Sequence, residues 1–283
     1  MPPRPFGADS FAVMPRWAEF EWGGAAAADA PEESAETFSS SMPAGYRVLF
    51  DPRTIRRHAA ICGRRGGRPA HAEVWRTLAE GGAALCFVAG DRPGLLSAIA
   101  AALVSHKLDV ITALAFSRTM PGGGGRTSEA VDLVWVRRAN ADDKEAIDDE
   151  EAASIAQVLC ALLSGTISVE EIASRTSATT ARSAADVVVV RCEAGEADGL
   201  AVLVVEASDR PGMLLAITLE IFQAGAQIAR SLVRTSGGRA FNHFELVEFN
   251  GSPLSAERCE QIRSAVFAAL SFKTAPDGQT GSP

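Results

Sequence analysis

Two short segments carry the side chains and spacing best suited to holding a small zwitterion. Asp91-Arg92-Pro93-Gly94-Leu95-Leu96 and Asp209-Arg210-Pro211-Gly212-Met213-Leu214 each sit between an apolar strand-like run and an amphipathic helix-like run. Proline presets φ for a first helical turn, glycine lets a neighbouring backbone approach, and N–H groups at a helix start offer partial positive charge to a carboxylate. Asp91 or Asp209, beside that turn, can take an ammonium group. The plainer reading makes each aspartate an N-cap worth about 1 kcal/mol, with proline and glycine shaping a turn that holds no ligand. On the residues of a single copy both readings stand.

Other candidate chemistry is weaker. Gly122 to Gly125 lacks the Gly-Lys-[Ser/Thr] ending of a phosphate loop and falls between two strands, so it reads as a hairpin loop. The acidic run from Asp142 to Glu151 lacks the ordered spacing and central glycine of a calcium loop and suits the opening turns of a helix. Cys62, Cys86, Cys160, Cys192 and Cys259 are odd in number and contain no C-x-x-C pair, which argues against disulfides and zinc. His243, beside Phe244 in a strand, reads as structural, and no Ser, Cys or His constellation suggests a nucleophile. No cofactor is expected.

The elements that must position the two turns come as an internal repeat. Gly90 to Leu96 recurs as Ser208 to Leu214, and the alignment runs without gaps to Ser117 and Thr235. Each copy reads as strand, helix, strand, strand, helix: Ala83 to Ala89, a helix carrying Leu95, Ile99 and Leu103, Val110 to Arg118, Ala130 to Val136 and Asp142 to Leu163 in the first. In the second these are Leu200 to Glu206, a helix carrying Met213, Ile217 and Ile221, Gln227 to Thr235, Ala240 to Phe249 and Ser255 to Leu270. Ser168-Val169-Glu170-Glu171 spells a capping box. The run Val187 to Cys192 is expected to supply the sixth element of the first unit, leaving the second unit's edge short or completed by a partner.

Length and charge narrow the function. The chain has 283 residues, 47% hydrophobic and 22% charged, with a net charge of −8, a balance that repels phosphate backbones rather than collecting them. Nucleic acid is not an expected partner. No apolar run approaches the ~20 residues of a membrane span, and residues 1 to 20 lack a secretory h-region, so a cytoplasmic location without membrane contact is expected. Prolines, Ala25 to Ala28 and Ser39 to Ser41 mark residues 1 to 41 as a disordered leader. Residues 42 to 80 read as a helical lead-in, capped at Asp51-Pro52 and bearing Ile55, His58 and Ile61 on one face. Its arginines form a locally basic patch without interleaved aromatics. The expected units are then 81 to 195 and 196 to 272, with 273 to 283 a disordered tail.

Two copies of D-R-P-G-[LM]-L between strand and helix, in a βαββαβ order, resemble tandem ACT domains, small ferredoxin-like regulatory modules that bind amino acids. Met42-Pro43-Ala44-Gly45-Tyr46, Asp51-Pro52 and Ile55 to His58 resemble the segment leading into the paired ACT domains at the C-terminus of bacterial PII uridylyltransferase/uridylyl-removing enzymes. The stretch Leu162-Leu163-Ser164-Gly165 is similar to that family's first ACT domain. The resemblance covers residues 42 to 270 and implies an α+β fold of two tandem ferredoxin-like βαββαβ domains. It implies amino-acid-binding residues Asp91, Pro93, Gly94 and Leu95 with Asp109 and Val110 in the first copy, and Asp209, Pro211, Gly212 and Met213 with Gln227 and Ile228 in the second. Asp109 and Gln227 differ between copies, so the sites need not bind alike.

That family catalyses with a paired-aspartate nucleotidyltransferase domain and a His-Asp phosphohydrolase domain. No Asp-x-Asp or His-Asp occurs here, and residues 1 to 41 are too few for either domain. The expected function is therefore a non-enzymatic amino-acid sensor, with glutamine as the ligand. It would pass its state to a regulatory protein partner, by intramolecular pairing of its domains or as a homodimer. The alternative is a ligand-free interaction scaffold acting in nitrogen regulation, with the basic helix docking on an acidic regulator.

Overall fold

The computed structural model describes residues 34–43, 45–120, 127–140, 142–177, 188–194 and 200–271. Residues 1–33, the tail 273–283 and the loop Gly122 to Gly125 lie outside the described residues, and with them most of the expected leader. Helix α1 (Ala35–Ser41) is a correction to that leader: Ser34 accepts a hydrogen bond from Thr37 N at 3.1 Å as N-cap, and Phe38 is wholly buried. The buried ring of Phe38, the Arg118 guanidinium 4.7 Å from that ring, and hydrogen bonds from Arg47 to Ser39 O and Ser40 Oγ dock the helix. Phe38 meets the ring of Tyr46, in the short α2 (Tyr46–Leu49), edge-on at 5.8 Å. Helix α3 (Pro52–Arg65) starts as its sequence dictates, with the Asp51 carboxylate accepting from Arg53 N and Thr54 N and Pro52 in the first turn. Those two bonds and a third from the Thr54 hydroxyl hold the Asp51 carboxyl below its ordinary range, against burial acting the other way.

The lead-in is not helical to residue 80. Strand β1 (Ala70–Thr77) follows α3, because Ala70, Ala72 and Val74 alternate with longer side chains and present one apolar face. A short 3₁₀ turn (Ala79–Gly81) then feeds β2 (Ala83–Gly90), α4 (Leu95–Ser105), β3 (Leu108–Met120), β4 (Thr127–Arg138), α5 (Asp149–Leu163) and α6 (Val169–Ser177). Helix α5 begins at Asp149 rather than Asp142, since Asp148 is the residue whose side chain caps it, onto Glu151 N at 2.9 Å. The second half comprises β5 (Val189–Glu193), β6 (Ala201–Ser208), α7 (Met213–Gln223), β7 (Ala226–Ser236), β8 (Arg239–Glu248) and α8 (Ala256–Ser271).

All eight strands form one antiparallel sheet in the order β1-β2-β4-β3-β7-β8-β6-β5. Read through the repeat, this order is a palindrome about the β3–β7 seam. The seam's own register agrees: Ala113 opposes Val233 and Ala115 opposes Ser231, pairs that exchange under the repeat as a two-fold axis requires. The protein is thus an α+β fold of two ferredoxin-like units sharing one sheet. Strand β5 pairs with β6, not with β2, so the expectation that 187–192 completes the first unit is corrected. Its place beside β2 is taken by β1, and β5 closes the edge of the second unit that the sequence had left open. The physical reason is proximity. Each edge strand precedes its partner by a short connection and folds back as a hairpin, which needs no crossover.

Helices α4 to α8 cover one face of the sheet, where Leu85, Phe87, Ile99, Leu103, Ile155, Leu203, Ile217 and Phe244 form a core continuous across both halves. The other face of the first half is covered by α1 to α3. There Phe38, Tyr46 and Ile61 pack on Cys86, Val88, Phe116, Leu133 and Trp135.

Candidate ligand site at the junctions of the two units

The Asp-Arg-Pro-Gly turns end β2 and β6 and launch α4 and α7. Gly94 and Gly212 hold the N-cap positions with φ of 79° and 78°, the left-handed region that glycine enters without strain. Neither helix has a side-chain cap, so the aspartates are not N-caps and their carboxylates are directed elsewhere. The glycines also admit close neighbours: a Cβ at Gly94 would stand 2.9 Å from the Phe222 ring of the other unit, and one at Gly212 would stand 2.8 Å from the Thr176 methyl. Side chains, rather than the expected backbone, make that approach. The arginine of each motif reaches to the end of the second helix of its own copy of the repeat, α5 or α8. Arg92 donates to Leu163 O at 3.0 Å and Arg210 to Leu270 O at 3.5 Å, satisfying carbonyls that a helix C-terminus leaves open.

Because the units are related by a two-fold, the turn of each faces the start of the middle strand of the other. At the first junction the Asp91 Oδ2 accepts from the Ser128 hydroxyl at 3.1 Å, and Oδ1 accepts from Gln227 Nε2 at 3.4 Å. Asp91, Gly94, Leu95, Gln227 and Ile228 line a cavity of about 30 Å³ together with the first turn of α4, Asp132 and Phe222. At the second junction Asp109, Val110, Asp209, Gly212 and Met213 line a cavity of about 20 Å³ with Asn242. Pro93 shapes its turn without joining either lining. Pro211 lines a broad cleft of about 1020 Å³ beside the second junction, walled by Trp75, Leu78 and Ile147.

Three further residues define the junctions and escaped the sequence reading. Asp132, on β4, is 4% exposed and lies inside the first cavity. Burial, and then the nearby Asp91 carboxylate, push its carboxyl up to about 8, against a backbone hydrogen bond from Phe116 that favours the charged form. It faces Phe87 and Ala115 across the sheet just as Asn242 faces Val205 and Val233, so Asn242 is its counterpart in the second unit. The third residue is Arg137. Its Nη2 lies 2.8 Å from Asp109 Oδ2 and 2.8 Å from Asp209 Oδ2, joining the two carboxylates of the second junction. Burial and the charge of Asp209 still leave the Asp109 carboxyl above its ordinary range, with Arg137 pulling it down. A signal for Asp132 was present in the sequence: it occupies an inward position of a strand whose neighbours at that parity are Ala130, Val134 and Val136.

Among the described residues no group of three or more His, Cys, Asp or Glu side chains is placed to hold a metal ion, and no helix is long and apolar enough to cross a membrane. His58 is wholly buried; its Nδ1 lies 2.6 Å from the Tyr46 hydroxyl. The described arrangement is a pair of small pockets, one at each junction of the two units.

No family model matches the chain. It is similar to curated proteins named bifunctional uridylyltransferase/uridylyl-removing enzyme. The one from Phenylobacterium zucineum is 29% identical over 250 residues, 87% of this chain and 25% of the relative. The one from Nitrobacter hamburgensis is 26% identical over 230 residues, 80% of this chain and 24% of the relative. The one from Rhodospirillum rubrum is 28% identical over 255 residues, 87% of this chain and 26% of the relative. The chain therefore spans about a quarter of the length of the relatives it matches.

Proposed function

We propose that this chain is a non-catalytic regulatory module of the ACT type, which binds one amino acid at the first junction and transmits that state through the shared sheet. The observation that carries the reading is the pairing of Asp91 and the buried Asp132 beside the first turn of α4. The two carboxyl groups take an ammonium, and the helix start takes a carboxylate. The similarity to uridylyltransferase/uridylyl-removing enzymes over about a quarter of their length supports a regulatory role in nitrogen metabolism, with glutamine the expected ligand and a regulatory protein the expected partner. At about 30 Å³ the cavity has room for roughly two waters, so an amino acid enters by displacing the Phe222 ring from above Gly94.

That small volume is also the one observation favouring the second reading, a ligand-free scaffold for protein contacts. A thermal-shift panel of the twenty amino acids separates them, since a ligand bound only by the folded state at a hundredfold excess over Kd stabilises by about 2.7 kcal/mol. A response to glutamine or another amino acid that disappears in Asp132→Asn supports the sensor. No response to any amino acid supports the scaffold. Turnover of UTP with a PII-type acceptor, removable by a point change in this chain, would overturn the non-catalytic reading.

A further inference from the structure

The two junctions are built on the same plan, and each brings two carboxyl groups together. In the second these are Asp209 of the turn and Asp109 of the facing strand, and Arg137 bridges both. In the first they are Asp91 of the turn and Asp132 of β4, in the same cavity. The residue matching Asp109 there is Gln227, and sheet register sets Gln227 opposite Val247 as it sets Asp109 opposite Arg137. Where the second junction has a guanidinium, the first has a valine. Arg92, the motif arginine nearest Asp91, is engaged with Leu163 O at 3.0 Å. Among the described residues, no ion pair neutralises Asp91 or Asp132.

We infer that the junctions are a filled and an unfilled version of one cation site: Arg137 is an internal surrogate ligand at the second, and a small molecule bearing an ammonium or guanidinium group supplies the same charge at the first. This rests on the proposed sensor reading and deepens it, because it fixes the ligand at one per chain and names its recognised end. Asp132 is buried beside the partly exposed Asp91 and is held neutral only by keeping its proton, so a positive partner at this place lets both carboxyl groups ionise. In the second unit evolution has provided it covalently. In the first it comes from outside, where Asp132 stands at the position of Asn242 and supplies the second carboxyl that Gln227, the counterpart of Asp109, does not. Arg137 also lines the broad cleft, so removing its side chain opens Asp109 and Asp209 to solvent.

The test uses ethylammonium and ethylguanidinium chloride as probes, followed by calorimetric titration and thermal shift of the full chain. The wild-type protein is expected to bind one equivalent, lost in Asp132→Asn. Arg137→Ala is expected to melt lower than wild type, to bind a second equivalent, and to regain most of the lost Tm with millimolar ethylguanidinium; Arg137→Ala/Asp209→Asn gains no second site. Arg137→Gln serves if the alanine variant does not fold, and Arg137→Lys, which keeps the charge, binds one equivalent only. Two equivalents in the wild type, or no gained site in both Arg137→Ala and Arg137→Gln, would overturn the inference. Failure of the sensor reading looks different: the simple cations bind with this stoichiometry while none of the twenty amino acids does.

Discussion

At the scale of single residues, Asp132 is a carboxyl that burial displaces far from its ordinary range. Its carboxyl titrates near 8 when folded, against an ordinary 3.8. Between those values the folded chain holds a proton that the unfolded chain has released, so stability falls as pH rises through that window. Asp132→Asn, which copies the Asn242 of the other unit, removes this dependence. It is expected to raise the stability of the free protein by ~2 kcal/mol at pH 8.5 while changing little at pH 4, measured by urea unfolding at both pH values. A cationic ligand draws the proton off, so its affinity should climb by up to tenfold per unit between pH 6 and 8 and then level. A pH-independent affinity in that interval would show that Asp132 does not touch the ligand. Gly94→Ala tests the turn itself: the left-handed φ and the 2.9 Å approach of Phe222 both oppose a Cβ, and a loss of about 2 kcal/mol or more is expected by denaturant titration.

At the scale of elements, the layer of α1 to α3 is the part whose existence was least legible in the sequence. Asp51-Pro52 announced α3, and the apolar faces of α4, α5, α7 and α8 were plain from their periodicity. Phe38, by contrast, is a lone aromatic among serines, and nothing local distinguishes it from a residue in a disordered leader; only the sheet face beneath makes it core. Similarly, the alternation in 70–77 and 187–192 marks strands but is silent on which neighbour they pair with, because both edges of a four-stranded unit offer the same hydrogen bonds. The turns were legible as strand-to-helix junctions, and Asp132 left a signal as a carboxyl at an inward strand position, whereas its placement beside Asp91 and the bridge made by Arg137 were not legible, since only the fold brings β4 to the turns. Two measurements probe the layer. Phe38→Ala is expected to cost about 3 kcal/mol, by the loss of a fully buried ring. Burial also lowers the His58 pKa to about 3 from 6.5, so this imidazole is folded neutral; its contribution is complete above pH 6.5 and is lost at up to ~1.4 kcal/mol per unit as pH falls below it. Acid should therefore loosen this layer first, with a change in Trp75 fluorescence between pH 6 and 4 that His58→Phe suppresses.

At the scale of the whole molecule, the palindromic sheet changes where the chain divides. Strand β5 is the counterpart of β1, so each unit consists of an edge strand followed by strand, helix, strand, strand, helix, and the structural boundary falls between α6 and β5 rather than at 195. A chain cut within 178–187 leaves each fragment with four strands and its own edge. A cut at 195 strips β5 from β6 and exposes the row of backbone groups that Val189 to Glu193 had satisfied. Co-expressed fragments 34–182 and 183–271 are expected to form a stable one-to-one complex, joined through the β3–β7 seam and the packing of α4 on α7. Fragments 34–195 and 196–271 should give a second piece that aggregates or fails to assemble, as judged by size-exclusion chromatography. Equal assembly of both pairs would mean that β5 contributes nothing to the second unit. Both junctions span the seam, since Asp91 reaches Gln227 and Arg137 reaches Asp209 across it. Adding ligand to the first pair of fragments should then tighten their association by the factor with which the complex prefers ligand over the separate pieces, whereas a ligand held within one unit alone would leave the association constant unchanged.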